Sequence, residues 1–202
     1  MNCLPKSLKS AAVGALLVVG LAGCGTLEIV RLNNITTTRF QVEGTQLRMA
    51  GDINAKTYDQ FLAIMDENPQ IRVLVEDDIP GSVDDNTMIR LAYKVRELGL
   101  DTHLTGISEV YSGGVDLFLA GVHRTMEKGA KIGVHSWSDG VRDAKDYPRG
   151  SGAHEQNRKY IEDMLGRDDF YWFTIYAAPA DGIHLMTVAE IRKYGLLTAP
   201  AK

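Results

Sequence analysis

The sequence predicts one α/β domain with a mostly parallel sheet. Three observations lead to this prediction: segments of strand and helix character alternate from Thr45 onwards, the short run IRVLVE has the composition of a buried strand, and TMIRLAYKVRELG has the apolar spacing of an amphipathic helix. Strands that alternate with helices favour parallel pairing through right-handed crossovers. No internal repeat interrupts this order.

In the first half, TQLRMAGDI is predicted to be a strand ending at a turn, and Asn54 to cap the helix AKTYDQFLAIMDE. IRVLVE follows as a buried strand. The loop DDIPGSVDDN then leads into the amphipathic helix, for which Gly99 supplies a C-cap. THLTGI is the next strand, and SGGVDLFLAG is a turn that enters a helix of small residues.

In the second half, HRTMEKGAKIGVHSW contains two short strands. The polar connection Ser138–Gly152 is predicted to be a mobile loop, and it leads into a long helical region, His154–Ala177, broken near Gly166. DGIHLM is a short strand. Thr187-Val188-Ala189-Glu190 has the pattern of a capping box that opens a last helix.

The first residues indicate export. Lys6 and Lys9 precede the apolar run Ala11–Ala22, as in the n-region and h-region of a signal peptide. A run of this length is too short for a membrane-spanning helix, which needs about 20 apolar residues. We therefore expect a cleaved leader and not a transmembrane anchor.

Leu21-Ala22-Gly23-Cys24 resembles the bacterial lipobox, in which the cysteine is lipidated and becomes the mature N terminus. The resemblance implies a signal peptide over residues 1–23, a lipidated tether and edge strand over 24–44, and the domain over 45–202. The protein would then be anchored to a bacterial membrane in the cell envelope, on the periplasmic side of a Gram-negative cell. The alternative is an ordinary signal peptide cut near Ala22.

Net charge and cysteine content argue against nucleic-acid binding and against two kinds of cysteine site. The formal net charge of −4 would become −6 on loss of the two leader lysines, and no basic tract is present, which argues against nucleic-acid binding. Cys3 would leave with the leader and Cys24 would be a thioether, so neither a disulfide nor a zinc–thiolate site is expected.

Three segments contain the candidate catalytic residues: Ile79–Val83 (IPGSV), Tyr111–Gly114 (YSGG) and Gly133–Trp137 (GVHSW). Ser112, followed by two glycines at a strand-to-helix turn, fits a nucleophile held close to backbone N–H groups. His135, at the end of the strand KIGVH, fits a general base. Each signal is weak alone, and their order gives them weight.

The order of these three segments, and of the strands and helices around them, resembles the Clp protease subunit family over about 150 residues, from Leu47 to Leu197. The resemblance implies a spiral of ββα units, the ClpP/crotonase-like fold. It implies that Ser112 is the nucleophile, His135 the base, and the N–H groups of Gly81 and Gly113 the oxyanion donors. LMTVAEIRKYGLL matches the family's closing segment most specifically.

The chain departs from the family at three points. The loop at Pro80–Val83 has one glycine fewer, and Tyr111 replaces a small residue before the serine. The third member of the triad, an aspartate in the family, falls on Ile183. Three nearby residues could replace it: Asp181, Asp139 and His184. A Ser–His dyad is the remaining possibility.

The expected function is a peptide or ester hydrolase that acts by acyl transfer from Ser112 and His135. A non-catalytic envelope lipoprotein that uses the fold as a binding or assembly module is the alternative, and crotonase-like thioester chemistry is a third. No cofactor is implied. The acids Asp77, Asp78, Asp84 and Asp85 lack the alternation of a calcium loop, and the histidines lack metal-ligand spacing. The resemblance also implies a homo-oligomer.

Overall fold

The computed structural model describes residues 37–199. The leader, Cys24 and most of the tether, for which the sequence predicts lipidation, lie outside the described residues. Nine strands are present in this part of the chain: β1 Arg39–Glu43, β2 Gln46–Ala50, β3 Val73–Glu76, β4 Asp78–Ile79, β5 Asp101–Leu104, β6 Glu109–Tyr111, β7 Arg124–Met126, β8 Lys131–Val134 and β9 His184–Leu185. Six α-helices accompany them: α1 Thr57–Glu67, α2 Asp85–Glu97, α3 Gly113–Leu119, α4 Glu155–Leu165, α5 Asp169–Ala177 and α6 Val188–Tyr194.

The strands form two sheets. One has the order β1-β2-β3-β5-β7 and the other the order β4-β6-β8-β9. All neighbouring pairs are parallel except β1 with β2 and β8 with β9. Successive pairs of strands, β3 with β4, β5 with β6 and β7 with β8, each place one strand in each sheet, and a helix follows. This is the predicted spiral of ββα units, and the mostly parallel sheet is confirmed.

One core joins the elements. Its largest fully buried side chains include Phe61 from α1, Phe118 from α3, Tyr160 from α4 and Phe170 from α5. No helix within residues 37–199 has the length and apolar character needed to cross a membrane.

Several local predictions are confirmed and one is wrong. Thr187 and Glu190 form both bonds of a capping box at the start of α6. Gly166 breaks the long helical region in a left-handed conformation, with φ 75°. Asn54, predicted to cap α1, instead accepts a hydrogen bond from the Lys56 N–H in a turn before the helix, which begins at Thr57. The Asn54 side chain forms a local turn and therefore caps no helical N–H.

Candidate active site

Ser112 lies at the junction of β6 and α3 in a backbone conformation of φ 52° and ψ −124°. It is the one non-glycine residue with positive φ in the described part of the chain. Such a conformation costs an ordinary residue about 1–3 kcal/mol, and it persists only where the surroundings enforce it. A strained serine at a strand-to-helix turn has the geometry of a nucleophile elbow.

The two glycines after Ser112 allow the loop from β4 to approach the start of α3. A Cβ added to Gly113 would lie 2.7 Å from Ser82 Cβ, and one added to Gly114 would lie 2.8 Å from Ile79 Cγ2. Both contacts are too short for a real side chain. The predicted close packing of this small-residue helix is therefore confirmed.

Gly81 lies directly against Ser112. A Cβ added to Gly81 would be 3.3 Å from Ser112 Cβ and 3.8 Å from Ser112 Oγ. The backbone at Gly81 and that of Gly113 therefore flank the serine from two sides. This is the placement that the sequence predicts for two oxyanion donors, and their role stays a prediction.

His135 follows β8, the parallel neighbour of β6. Tyr111 and Gly133 are register partners in these strands, and the Ser112 N–H donates to the Gly133 carbonyl over 3.0 Å. Because the carboxyl ends of parallel strands meet at one edge of a sheet, Ser112 and His135 emerge at the same edge. The two residues line one cavity.

That cavity has a volume of about 50 Å³. Its polar lining comprises the predicted residues Ser112 and His135 together with Asp85, Asp116, Asn157, Tyr171 and Thr174. Gly113, Val115, Val134, Trp137 and Ile161 form the rest of the wall. The arrangement encloses a potential nucleophile and a potential base in one partly apolar space.

The position of the family's third residue is aliphatic. In the antiparallel pair of β8 and β9, Gly133 lies opposite Leu185 and Val134 opposite His184. Continued by one residue, this register brings Ile183 opposite His135. A Cβ added to Gly133 would lie 2.7 Å from Ile183 Cγ2, so the Ile183 side chain packs on β8. Asp181 is exposed on the turn that precedes β9.

The other two candidates for the third residue have partners elsewhere. Asp139 accepts hydrogen bonds from the N–H groups of Val141 and Arg142 and from the Tyr147 hydroxyl. The Tyr147 hydroxyl and those N–H groups lower the pKa of Asp139 to about 2. His184 Nε2 lies 3.0 Å from Glu190 Oε1, next to the capping box of α6. Neither residue lines the cavity.

Asp116 was not singled out from the sequence. It lies one turn after Ser112 on α3 and lines the cavity. Burial, with a smaller contribution from the charge of Asp85, raises its pKa to about 7. A signal was present: Asp116 is the one charged residue in the otherwise apolar run GGVDLFLAG.

The acidic residues around the β4 loop have structural roles. Asp77 pairs with Arg48, Asp84 caps α2 by accepting from the Thr87 N–H at 3.0 Å, and Asp85 accepts from Ser82 Oγ at 2.5 Å. Among residues 37–199, no group of three or more side chains is arranged to hold a metal ion.

Neither a family model nor a curated protein matches the chain. Among solved structures, it is similar to a serine-to-alanine mutant of the membrane-bound stomatin-specific protease 1510-N, at 17% identity and a TM-score of 0.52, over 76% of this chain and 75% of that one. It is similar to an enoyl-CoA hydratase from Geobacillus kaustophilus at 16% identity and a TM-score of 0.51, over 79% of this chain and 66% of that one.

A third similar structure is a protein from Acinetobacter baumannii described as an enoyl-CoA hydratase/isomerase. It shares 14% identity at a TM-score of 0.51, over 82% of this chain and 77% of that one. At such low identity these similarities show the fold alone. The chain has the ClpP/crotonase fold, as predicted.

Proposed function

We propose that this protein is a serine hydrolase that cleaves peptide or ester bonds. One observation carries the proposal: Ser112 is held at φ 52° on a strand-to-helix turn and faces the cavity that His135 also lines. A packing role does not require strain at a serine, whereas presentation of a nucleophile does. The similarity of fold to a protease agrees with the proposal.

In the proposed reaction, His135 accepts the proton of Ser112 Oγ while Oγ bonds to the substrate carbonyl carbon. The N–H groups of Gly81 and Gly113 stabilise the resulting oxyanion. When the tetrahedral intermediate collapses, the leaving amine or alcohol takes the proton from His135. Water then attacks the acyl-enzyme with His135 as base, and the acid is released with Ser112 restored.

Asp181 is our candidate for orienting His135, because it is the carboxylate nearest in sequence to Ile183. Replacement of the orienting acid in a Ser–His–Asp triad slows turnover about 10⁴-fold, so the identity of this residue decides the rate. The aliphatic Ile183 at the family position favours the alternative, a non-catalytic binding or assembly module. The two functions differ in whether Ser112 is chemically activated.

A fluorophosphonate probe tests this difference. We expect the full-length chain, purified in detergent, to be labelled at Ser112, and labelling to be lost in Ser112→Ala and in His135→Ala. Ser138→Ala is the matched control, because Ser138 is exposed and lies outside the cavity. Absence of labelling in the folded wild-type chain would refute the hydrolase and favour the binding module.

We also propose that the protein is lipid-anchored through Cys24 in the cell envelope and that it forms a homo-oligomer. The lipobox-like Leu21–Cys24 supports the anchor. Metabolic labelling with a radioactive fatty acid should mark the wild type and not Cys24→Ala, while Cys3→Ala remains labelled. Labelling of Cys24→Ala would contradict the anchor.

A further inference from the structure

The cavity beside Ser112 is lined by acidic side chains. Asp116 and Asp85 both line it, and neither a lysine nor an arginine is among its lining residues in the described chain. A serine hydrolase uses one carboxylate to orient its histidine, and our candidate for that role is Asp181. The additional pair of carboxyl groups beside Ser112 would complement a positively charged group in the substrate.

The Asp116 carboxylate is available for such a group. No residue in the range 37–199 donates a hydrogen bond to it or pairs with it, although the Asp116 carbonyl oxygen accepts from the Tyr160 hydroxyl at 2.5 Å. Asp116 is only one turn from the nucleophile, because its N–H lies 3.4 Å from the Ser112 carbonyl oxygen. A partly buried carboxylate without a donor loses solvation and gains nothing in return.

Asp116 shares its surroundings with Asp85 from α2, Tyr160 from α4, Tyr171 from α5 and His135 from the segment after β8. Burial is the main reason that the pKa of Asp116 is raised to about 7, and the charge of Asp85 adds to it. A bound cation would reverse both effects and favour the ionised carboxylate.

The size of the cavity suits a slender, unbranched cation. A volume of about 50 Å³ has room for about four water-sized occupants at roughly 10–15 Å³ each. A lysine side chain has four non-hydrogen atoms beyond Cβ: three carbons and the ammonium nitrogen. Val115, Val134 and Ile161 provide apolar contacts for its methylene groups.

We propose that this cavity is the specificity pocket of the hydrolase, and that it binds the alkylammonium side chain of a lysine on the acyl side of the scissile bond through Asp116. This inference rests on the proposed function, because the pocket is defined by its position next to Ser112. It adds a substrate class, peptides or esters of lysine, that the fold does not specify.

The test compares N-acetyl-lysine and N-acetyl-norleucine thiobenzyl esters, which differ in the ammonium group. We expect wild-type kcat/KM to favour lysine by about tenfold or more, within the range for hydrogen bonds to charged groups. The preference should disappear in Asp116→Asn and persist in Asp59→Asn, an exposed Asp-to-Asn control on α1. Equal use of both esters by wild type, or a preference unchanged in Asp116→Asn, would overturn the inference.

The pH dependence gives a second readout. The lysine ammonium stays charged to about pH 10, whereas Asp116 ionises near pH 7. The lysine preference should therefore increase from pH 6 to pH 8 in wild type and stay flat in Asp116→Asn. A wild-type preference that is constant over this range would count against pairing with Asp116.

Two measurements separate failure of this inference from failure of the proposed function. Fluorophosphonate labelling of wild type without a lysine preference would overturn the inference and leave the hydrolase intact. If the wild type is not labelled, a binding experiment tests the pocket separately. N-acetyl-lysine amide, and not the norleucine amide, should shift NMR signals of cavity residues in Ser112→Ala. These shifts should be lost when Asp116→Asn is added, and their absence in Ser112→Ala would exclude the pocket.

Discussion

The Ser112 N–H donates to the Gly133 carbonyl oxygen over 3.0 Å, and this bond joins the turn that carries Ser112 to β8, the strand that His135 follows. This backbone hydrogen bond holds Ser112 against β8. On the other side, the Val115 N–H donates to the Ser112 carbonyl oxygen at 2.9 Å, in the first turn of α3. Hydrogen bonds to β8 and to α3 therefore hold the Ser112 backbone in its strained conformation.

This strain predicts an unusual effect of glycine. Ser112→Gly should be more stable than Ser112→Ala by about 1 kcal/mol, because glycine relieves a penalty of about 1–3 kcal/mol at φ 52° and costs less than that in chain entropy. Urea unfolding of both variants measures the difference. At Ser138, where φ is not positive, the glycine variant should be the less stable one. An alanine variant at Ser112 as stable as the glycine variant would refute strain.

Close packing at the elbow predicts the effect of an added methyl group. Gly113→Ala should lose about 1–3 kcal/mol of stability, because its Cβ would meet Ser82 at 2.7 Å. Labelling of Ser112 should slow as well, since the loop that carries Gly81 must move. Gly150→Ala is the control, with nothing within 4 Å of the added Cβ. Equal melting temperatures for the two variants would contradict this packing.

Glu76 predicts a stability that falls with pH. It is fully buried, no described residue hydrogen-bonds to its carboxyl oxygens, and burial raises its pKa well above the ordinary value. Above about pH 4.5 the unfolded chain loses this proton while the native state keeps it, so the unfolding free energy decreases as pH rises.

Glu76→Met should therefore be more stable than wild type by about 1–3 kcal/mol at pH 8 and gain less at pH 4. Urea unfolding at several pH values measures this difference, with Glu67→Met, an exposed change at the end of α1, as control. A difference between wild type and Glu76→Met that does not vary with pH would mean that Glu76 titrates normally.

The candidates for the third catalytic residue predict different phenotypes. Asp181→Asn should slow inactivation by the fluorophosphonate by up to about 10⁴-fold if it orients His135. Asp139→Asn should instead destabilise its loop. The pKa of Asp139 is lowered to about 2, so its stabilisation is complete above about pH 4 and is lost as pH falls towards 2.

The rate of inactivation and thermal unfolding at pH 7 and pH 2.5 distinguish these two phenotypes. If inactivation were slow in Asp139→Asn and normal in Asp181→Asn, Asp139 and not Asp181 would be the residue that orients His135. If both variants react at the wild-type rate, Ser112 and His135 act as a dyad.

Much of the fold could be predicted from local patterns, because each element has a local signal. The apolar spacing of α2, the capping box of α6 and the glycine at the end of α4 report interactions within a few residues. Ser112 and His135 could be proposed as candidate catalytic residues because they follow strands in an order that resembles a known family. Asn54 was assigned wrongly because the same side chain can cap a helix or form a turn, and sequence does not distinguish the two.

The sequence by itself determined the order of elements and the fold class, and it indicated Ser112 and His135 as the candidate catalytic pair, whose role stays a prediction. Only the tertiary structure decided that Ile183 packs against Gly133 on β8, that Asp139 accepts a hydrogen bond from Tyr147, and that Asp116 lines the cavity. The physical reason is that sheet register and cavity walls depend on contacts between residues far apart in the chain. Local periodicity shows which face a residue occupies, whereas packing alone determines which partner it meets there.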